Sequence, residues 1–240
     1  MEITADEITA FLESMRDDEQ RRVLMRFFRT GPGQYGEGDQ FLGIRVPATR
    51  AVCRNYKGQI SFTEIEKLLY SPWHEVRLCG FLLLVEEMKA ARRNPQRRHD
   101  IADFYLRHAR QANNWDLVDL SCPYIIGQHL LDTNADRSVL DRLAASANIW
   151  EQRIAIVSTM MLIRHGQLDD TIRIATALLP HPHDLIHKAT GWMLREVGKK
   201  NTAVLTSFLE NNHSAMSRTT LRYAIERLAP SLRLHFLHLR

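Results

Sequence analysis

Apolar residues along this chain recur at three- and four-residue intervals, and the two-residue alternation of a strand is nowhere sustained. The spacing predicts helices over 4–28, 47–56, 62–69, 73–91, 98–111, 115–131, 138–145, 150–165, 168–179, 183–198, 201–211 and 217–228. Short polar breaks separate them: SPWH, RRNPQ, DTNAD, SANIW, LPHPHD and NNHSAMS, rich in residues that stop helices and make turns.

Several segments share a phase. SPWHEVRLCGFLLL, ANIWEQRIAIVSTMML, HPHDLIHKATGWML and HSAMSRTTLRYAIERL can be overlaid so that one position is basic in all four: Arg77, Arg153, Lys188 and Arg222. The last three recur at intervals of about 35 residues, and the wider gap after Arg77 leaves room for a further unit, ANNWDLVDLS. There Trp115 precedes Asp119 by one helical turn, as Trp73 precedes Arg77. A helix pair repeated at this interval is the signature of an α-solenoid, in which each unit buries its apolar face on its neighbours. The expected fold is therefore all-α: a HEAT-like solenoid of about six stacked helix pairs, forming one domain over 1–240. In such a stack the second helices line a concave side, and the shared cations would make it a basic groove. Asp119 stands where the repeat otherwise places a cation, and periodicity alone favours a structural ion pair with an inter-repeat arginine.

Composition narrows the class. A chain of 240 residues that is 45% hydrophobic and 25% charged is of the globular type and can bury a sizeable core. No apolar run approaches the roughly 20 residues a membrane helix needs. The start, MEITADEITAFLESM, is acidic and helix-like, without the basic leader of a signal peptide. Cys53, Cys79 and Cys122 are widely spaced, odd in number and without a CxxC pair, which suits reduced thiols and a cytoplasmic location. Net charge is +4, which permits a polyanionic partner without establishing one. Most basic residues are arginine, whose planar fork suits phosphate, although a high-GC genome would give the same bias.

Individual residues carry competing readings. Asp116, in the first turn after Asn114, reads as a helix N-terminal acid favoured by the macrodipole. Thr49, Arg50 and Arg54 follow Pro47 at a helix start and could grip phosphate, or equally be solvated. GPGQYGEG lacks the Gly-Lys-Ser/Thr of a phosphate-binding loop. His181, His183 and His187 lack carboxylate-supported zinc spacing, so no metal site is expected. Trp73 and Trp150 open repeats and read as core, and helical spacing alone would bury Trp192 as well.

Taken together, NNWDLVDLSCPYIIG, WEQRIAIV and KATGWMLREVGK, preceded by FLGIRVPATR, resemble the bacterial alkylpurine DNA glycosylases built from HEAT-like repeats, the AlkD family. The resemblance runs over about 35–200, and the order and spacing of the pieces agree. It implies hydrolysis of the N-glycosidic bond of cationic alkylated purines, such as 7-methylguanine and 3-methyladenine, in duplex DNA. Residue by residue it makes Asp119 the catalytic aspartate, sets Trp115 and Trp192 against the damaged nucleotide, and makes Arg153 the active-site arginine. Asp184 and Leu185 depart from the pattern, since some members carry aromatics there.

That chemistry needs few groups. An alkylated purine cation leaves as a neutral base, so no general acid has to protonate it, and one carboxylate can do what usually takes two. Asp119 would face the oxocarbenium-like sugar and orient water, Trp115 and Trp192 would offer π faces, and Arg153 would hold a phosphate and keep Asp119 charged. Arg50, Arg54, Arg77, Lys188 and Arg222 would meet the DNA backbone. The expectation is a cofactor-free, monomeric DNA glycosylase. Its rival is a non-catalytic HEAT-like DNA-binding scaffold, against which the presence of Asp119 argues.

Overall fold

The computed structural model describes residues 3–132 and 135–239. These residues form helices throughout: α1 (Ala5–Ser14), α2 (Asp18–Phe27), α3 (Val46–Tyr56), α4 (Phe62–Leu69), α5 (His74–Ala90), α6 (Pro95–Arg107) and α7 (Trp115–Asp119). They continue as α8 (Gln128–Asp132), α9 (Ser138–Ala144), α10 (Ile149–Ser158), α11 (Met160–Arg164), α12 (Asp169–Leu178), α13 (Asp184–Lys200), α14 (Thr202–Asn212), α15 (Arg218–Ala224) and α16 (Pro230–His238). The described residues contain no strand beyond a single isolated bridge between Gln40 and Trp73. None of the described helices is long and apolar enough to cross a membrane.

Three expected helices are broken. The first divides at Asp17, whose carboxylate accepts from the Glu19 and Gln20 amides and so starts α2 afresh. The helix expected over 115–131 ends its regular part at Asp119. Pro123, which has no N–H to give, opens a π-helical turn over Pro123–Gly127. The third parts at Thr159, between α10 and α11. One further helix, α16, begins at Pro230 beyond the last expected element.

The chain forms two compact units, Met1–Ser121 and Cys122–Arg240. In the first, α5 is the central helix, with α1, α3, α4, α6 and α7 against it. Nearly every side chain from His74 to Val85 is buried, so α5 shows almost no amphipathic character. In the second unit the pairs α9–α10, α12–α13 and α14–α15 follow one another. There α10 packs on α13, α13 on α15, and α9 on α12, the like-on-like stacking of a helix-pair repeat. Gly191 permits the closest of these approaches, because a Cβ there would collide with Tyr223 and the Thr220 carbonyl.

Candidate functional site

In the first unit, α7 is five residues long and depends on its cap. The buried Asn114 carboxamide accepts from the Trp115 amide, and Leu117 and Val118 anchor the helix in the core. Trp115 and Asp119 are four residues apart and therefore share the opposite face, both half-buried. That face forms part of the wall of a cavity of about 380 Å³. Its other walls include Phe27, Phe28, Phe41, Ile44 and Leu78. The Phe28 ring stacks on Trp115 with centroids 5.2 Å apart, and Phe27 meets Trp115 edge-on at 5.8 Å. Asp119 thus brings a carboxylate to an almost wholly apolar, aromatic hollow.

Beneath that hollow lies a buried ionic cluster. His74 gives one ring nitrogen to Asp39 at 2.7 Å and the other to Asp116 at 2.9 Å. Arg77 bonds the other Asp39 oxygen at 2.5 Å and the Ser71 and Pro72 carbonyls at 2.8 and 3.1 Å. Burial pushes the His74 imidazole toward neutrality, but the Asp116 and Asp39 carboxylates outweigh it and lift its pKa to about 9. Asp39 is likewise pushed up by burial, yet His74 and Arg77 hold it below the usual carboxylate range. With His74 protonated, two cations face two anions and the cluster is neutral. Phe41 stacks on the His74 ring at 4.3 Å and on Phe28 at 5.0 Å, so the rings run from the cluster up to Trp115.

A second buried carboxylate braces the same wall. Glu75 accepts from three successive amides, Leu42 at 2.8 Å, Gly43 at 2.8 Å and Ile44 at 3.0 Å. Gly43 has φ +95° there, and a Cβ would strike the Asp17 carbonyl, so the loop closes only with glycine.

The expected site residues divide. Trp115 and Asp119 come together at the cavity. Arg77 does not belong to a DNA-facing row: it is buried and its fork is consumed by Asp39 and two carbonyls. Thr49 is also buried, while on the same helix Arg50 is half-buried and Arg54 exposed. Asp116 stands in the first turn of α7 as expected, and it is also buried there as the partner of His74. Trp73 is only half-buried, donating its indole N–H to Glu13 at 2.9 Å, whereas Trp150 is core.

In the second unit, Arg153 is buried on α10 and donates to the Leu185 carbonyl on α13 at 2.6 Å. Trp192 lies two turns further along α13, half-buried. Lys188 pairs with Asp184 at 2.7 Å, and Arg222 is exposed on α15. The two residues at the departure, Asp184 and Leu185, therefore hold Lys188 and Arg153 respectively. The His-rich turn caps α13, with the His183 ring accepting from the Leu185 amide. Sequence reasoning missed Asp39, His74 and Glu75. The signal was present in His74 and Glu75, which with Arg77 are the polar residues of a stretch otherwise apolar on every face.

An all-α protein of stacked helix pairs, with a carboxylate set in an aromatic hollow, is the class that fold and site define. The chain belongs to the family of DNA alkylation repair enzymes, whose family model matches residues 8–228. A solved structure from Enterococcus faecalis, described as a predicted DNA alkylation repair enzyme, has the same fold. It superposes with a TM-score of 0.71 at 17% identity, covering 90% of this chain and 97% of that one. No curated protein sequence matches the chain. Membership places the protein in DNA alkylation repair.

Proposed function

We propose that this protein is a DNA glycosylase that hydrolyses the N-glycosidic bond of cationic alkylated purines, 7-methylguanine and 3-methyladenine among them, in duplex DNA. The observation that carries the reading is the Asp119 carboxylate at the edge of a hollow walled by Trp115, Phe27 and Phe28. In such a surrounding a fixed negative charge is poorly screened and acts strongly on a cation that forms beside it.

As the bond breaks, its electron pair leaves with the purine and cancels the positive charge of the base. The sugar carbon becomes oxocarbenium-like, and Asp119 stabilises it by roughly 3–4 kcal/mol, the usual worth of one preorganised electrostatic group. A water held by the same carboxylate adds to that carbon and gives up a proton. Trp115 offers a π face to the cationic base, worth about 0.5–2 kcal/mol. Arg153 and Trp192 keep the roles that the family resemblance implies, a phosphate holder and a second π face. Arg50, Arg54, Lys188 and Arg222 remain candidates for backbone phosphates, with Lys188 having to exchange Asp184 for its phosphate.

The test is excision from an oligonucleotide duplex carrying a single 7-methylguanine, with protein in excess. Release of the free base by the parent and its collapse in Asp119→Asn are the expected results. Salt-sensitive DNA binding with no base release would favour the non-catalytic scaffold instead.

A further inference from the structure

The cavity beside α7 carries negative charge that the neighbouring cations leave partly unanswered. Its walls include the charged residues Asp119, Asp116, Glu75, His74 and Arg45. Within the ionic cluster His74 and Arg77 answer Asp39 and Asp116, and the set is neutral. Arg45 is exposed at the rim with its fork on Gln20, where water screens its charge. Glu75 has no such counterpart. It is 1% exposed, and its partners are the Leu42, Gly43 and Ile44 amides, which occupy its oxygens without bringing a net charge. No described cation lies within ion-pair distance of it.

A buried acid held by amides is ordinarily a structural brace, and Glu75 is one. Two further observations give this wall another use. Asp116 keeps a buried oxygen, Oδ1, that no described residue bonds, so acceptor capacity is in excess here. The opposite surfaces are aromatic. Phe27, Phe28, Phe41 and Trp115 all line the cavity, and Phe27 stays 61% exposed although it could have been covered by the fold.

Size and chemistry together define a guest. A volume of about 380 Å³ falls at the small end of the range for small-molecule pockets, about 300–1,000 Å³. That is room for a bicyclic ring with a small substituent. Ring faces attract cations through their quadrupoles. A carboxylate in an apolar wall is poorly screened, so it repels an anionic guest and favours a cationic one. A metal ion would find no group of three ligating side chains among the described residues.

We infer that this cavity is a binding site for free planar organic cations, N-alkylated heteroaromatic rings of nucleoside size or smaller, taken up without DNA. The inference rests on the glycosylase reading for the place alone. Its guest is a small molecule, and neither a duplex nor bond cleavage is required.

Calorimetric titration of the intact protein in the absence of DNA tests it. The probes are N-methylquinolinium and 7-methylguanosine, each against its unalkylated counterpart, quinoline and guanosine. The pH is mildly acidic, where both alkylated probes are cations and both counterparts neutral. Each cation is expected to bind at least tenfold more tightly than its counterpart. Leu78→Phe, which fills the cavity, should abolish binding of both cations. Phe27→Ala should weaken the cations by about threefold and leave the melting temperature level, since Phe27 is exposed. Equal affinity for a cation and its neutral counterpart, or binding of neither cation, would overturn the inference. Should Leu78→Phe fold poorly, Phe27→Ala decides: unchanged affinity for the cations refutes the site, and selective weakening supports it. A protein that excises 7-methylguanine from duplex yet binds no free cation loses this inference and keeps the glycosylase reading. One that binds the cations and releases no base does the opposite.

Discussion

Asp116 and Asp119 lie three residues apart on one short helix, yet they belong to different regions. Asp116 points into the interior, where His74 holds it in a neutral cluster with Asp39 and Arg77. Asp119 reaches an aromatic hollow that is open to solvent in part. The first arrangement places a carboxylate out of reach of solvent, and the second places one on the wall of an accessible cavity. The contrast shows how a helix of five residues can be held firmly enough to present a carboxylate to a cavity: its lower face is an ionic anchor.

Breaking the anchor should have the largest effect. His74→Ala leaves two buried carboxylates without the cation between them. We expect a loss of about 3–5 kcal/mol in folding stability by denaturant titration. A change below about 1 kcal/mol would mean that the interior of this unit is far wetter than its burial indicates. The opposite face answers differently. Asp119→Asn should cut single-turnover release of 7-methylguanine by about 10²–10³ while moving the unfolding midpoint little. A variant that excises at the parental rate but melts far lower would make Asp119 another structural acid.

The comparison also has a pH signature. The folded pKa of His74, about 9, lies above its unfolded value of about 6.5. Its stabilisation is therefore fully present below pH 6.5 and is lost as pH rises through 9, a decline of roughly 3 kcal/mol. Asp39, whose folded pKa is lowered, works the other way: its contribution is present above its unfolded value and disappears in acid. Stability measured across pH should thus fall on both sides of a weakly acidic plateau that ends near pH 6.5. A profile flat from pH 6.5 to 9 would argue against a protonated His74.

The smallest effect separates two arginines that the repeat places in one phase. Arg222→Gln should reduce the salt slope of duplex binding by about one unit with no change in melting, as for a surface phosphate contact. Arg77→Gln should do the reverse, lowering the melt and leaving the slope alone, because its fork is spent on Asp39, Ser71 and Pro72. Equal behaviour would restore Arg77 to the DNA-facing row.

That pair also shows what was legible in the chain. Helical spacing located most elements, and Phe62–Leu69 matched its expected bounds, because local periodicity reports which face a helix buries. The proximity of Trp115 and Asp119 was legible for the same reason. What escaped was pairing across distance. Asp39 sits in a glycine-rich loop and meets His74 and Arg77, 35 and 38 positions further along, only when the chain folds back. The same basic phase on two repeats led to one buried and one exposed arginine, since periodicity sets direction but not what waits there. The break within 4–28 was hidden because Asp17 ends one helix pattern and caps the next without disturbing the apolar spacing.

The grip of Glu75 on three consecutive amides has a kinetic consequence. Leu42, Gly43 and Ile44 lie in an irregular loop, a kind of segment whose amides usually trade hydrogen with water within moments. Each of these three is bound instead to a buried carboxylate of the central helix. Their exchange then requires α5 to let go, so in deuterated solvent they should persist as long as helix interior amides do. This loop would be the last irregular stretch of the first unit to open, and its protection would report the integrity of α5 rather than any order of its own.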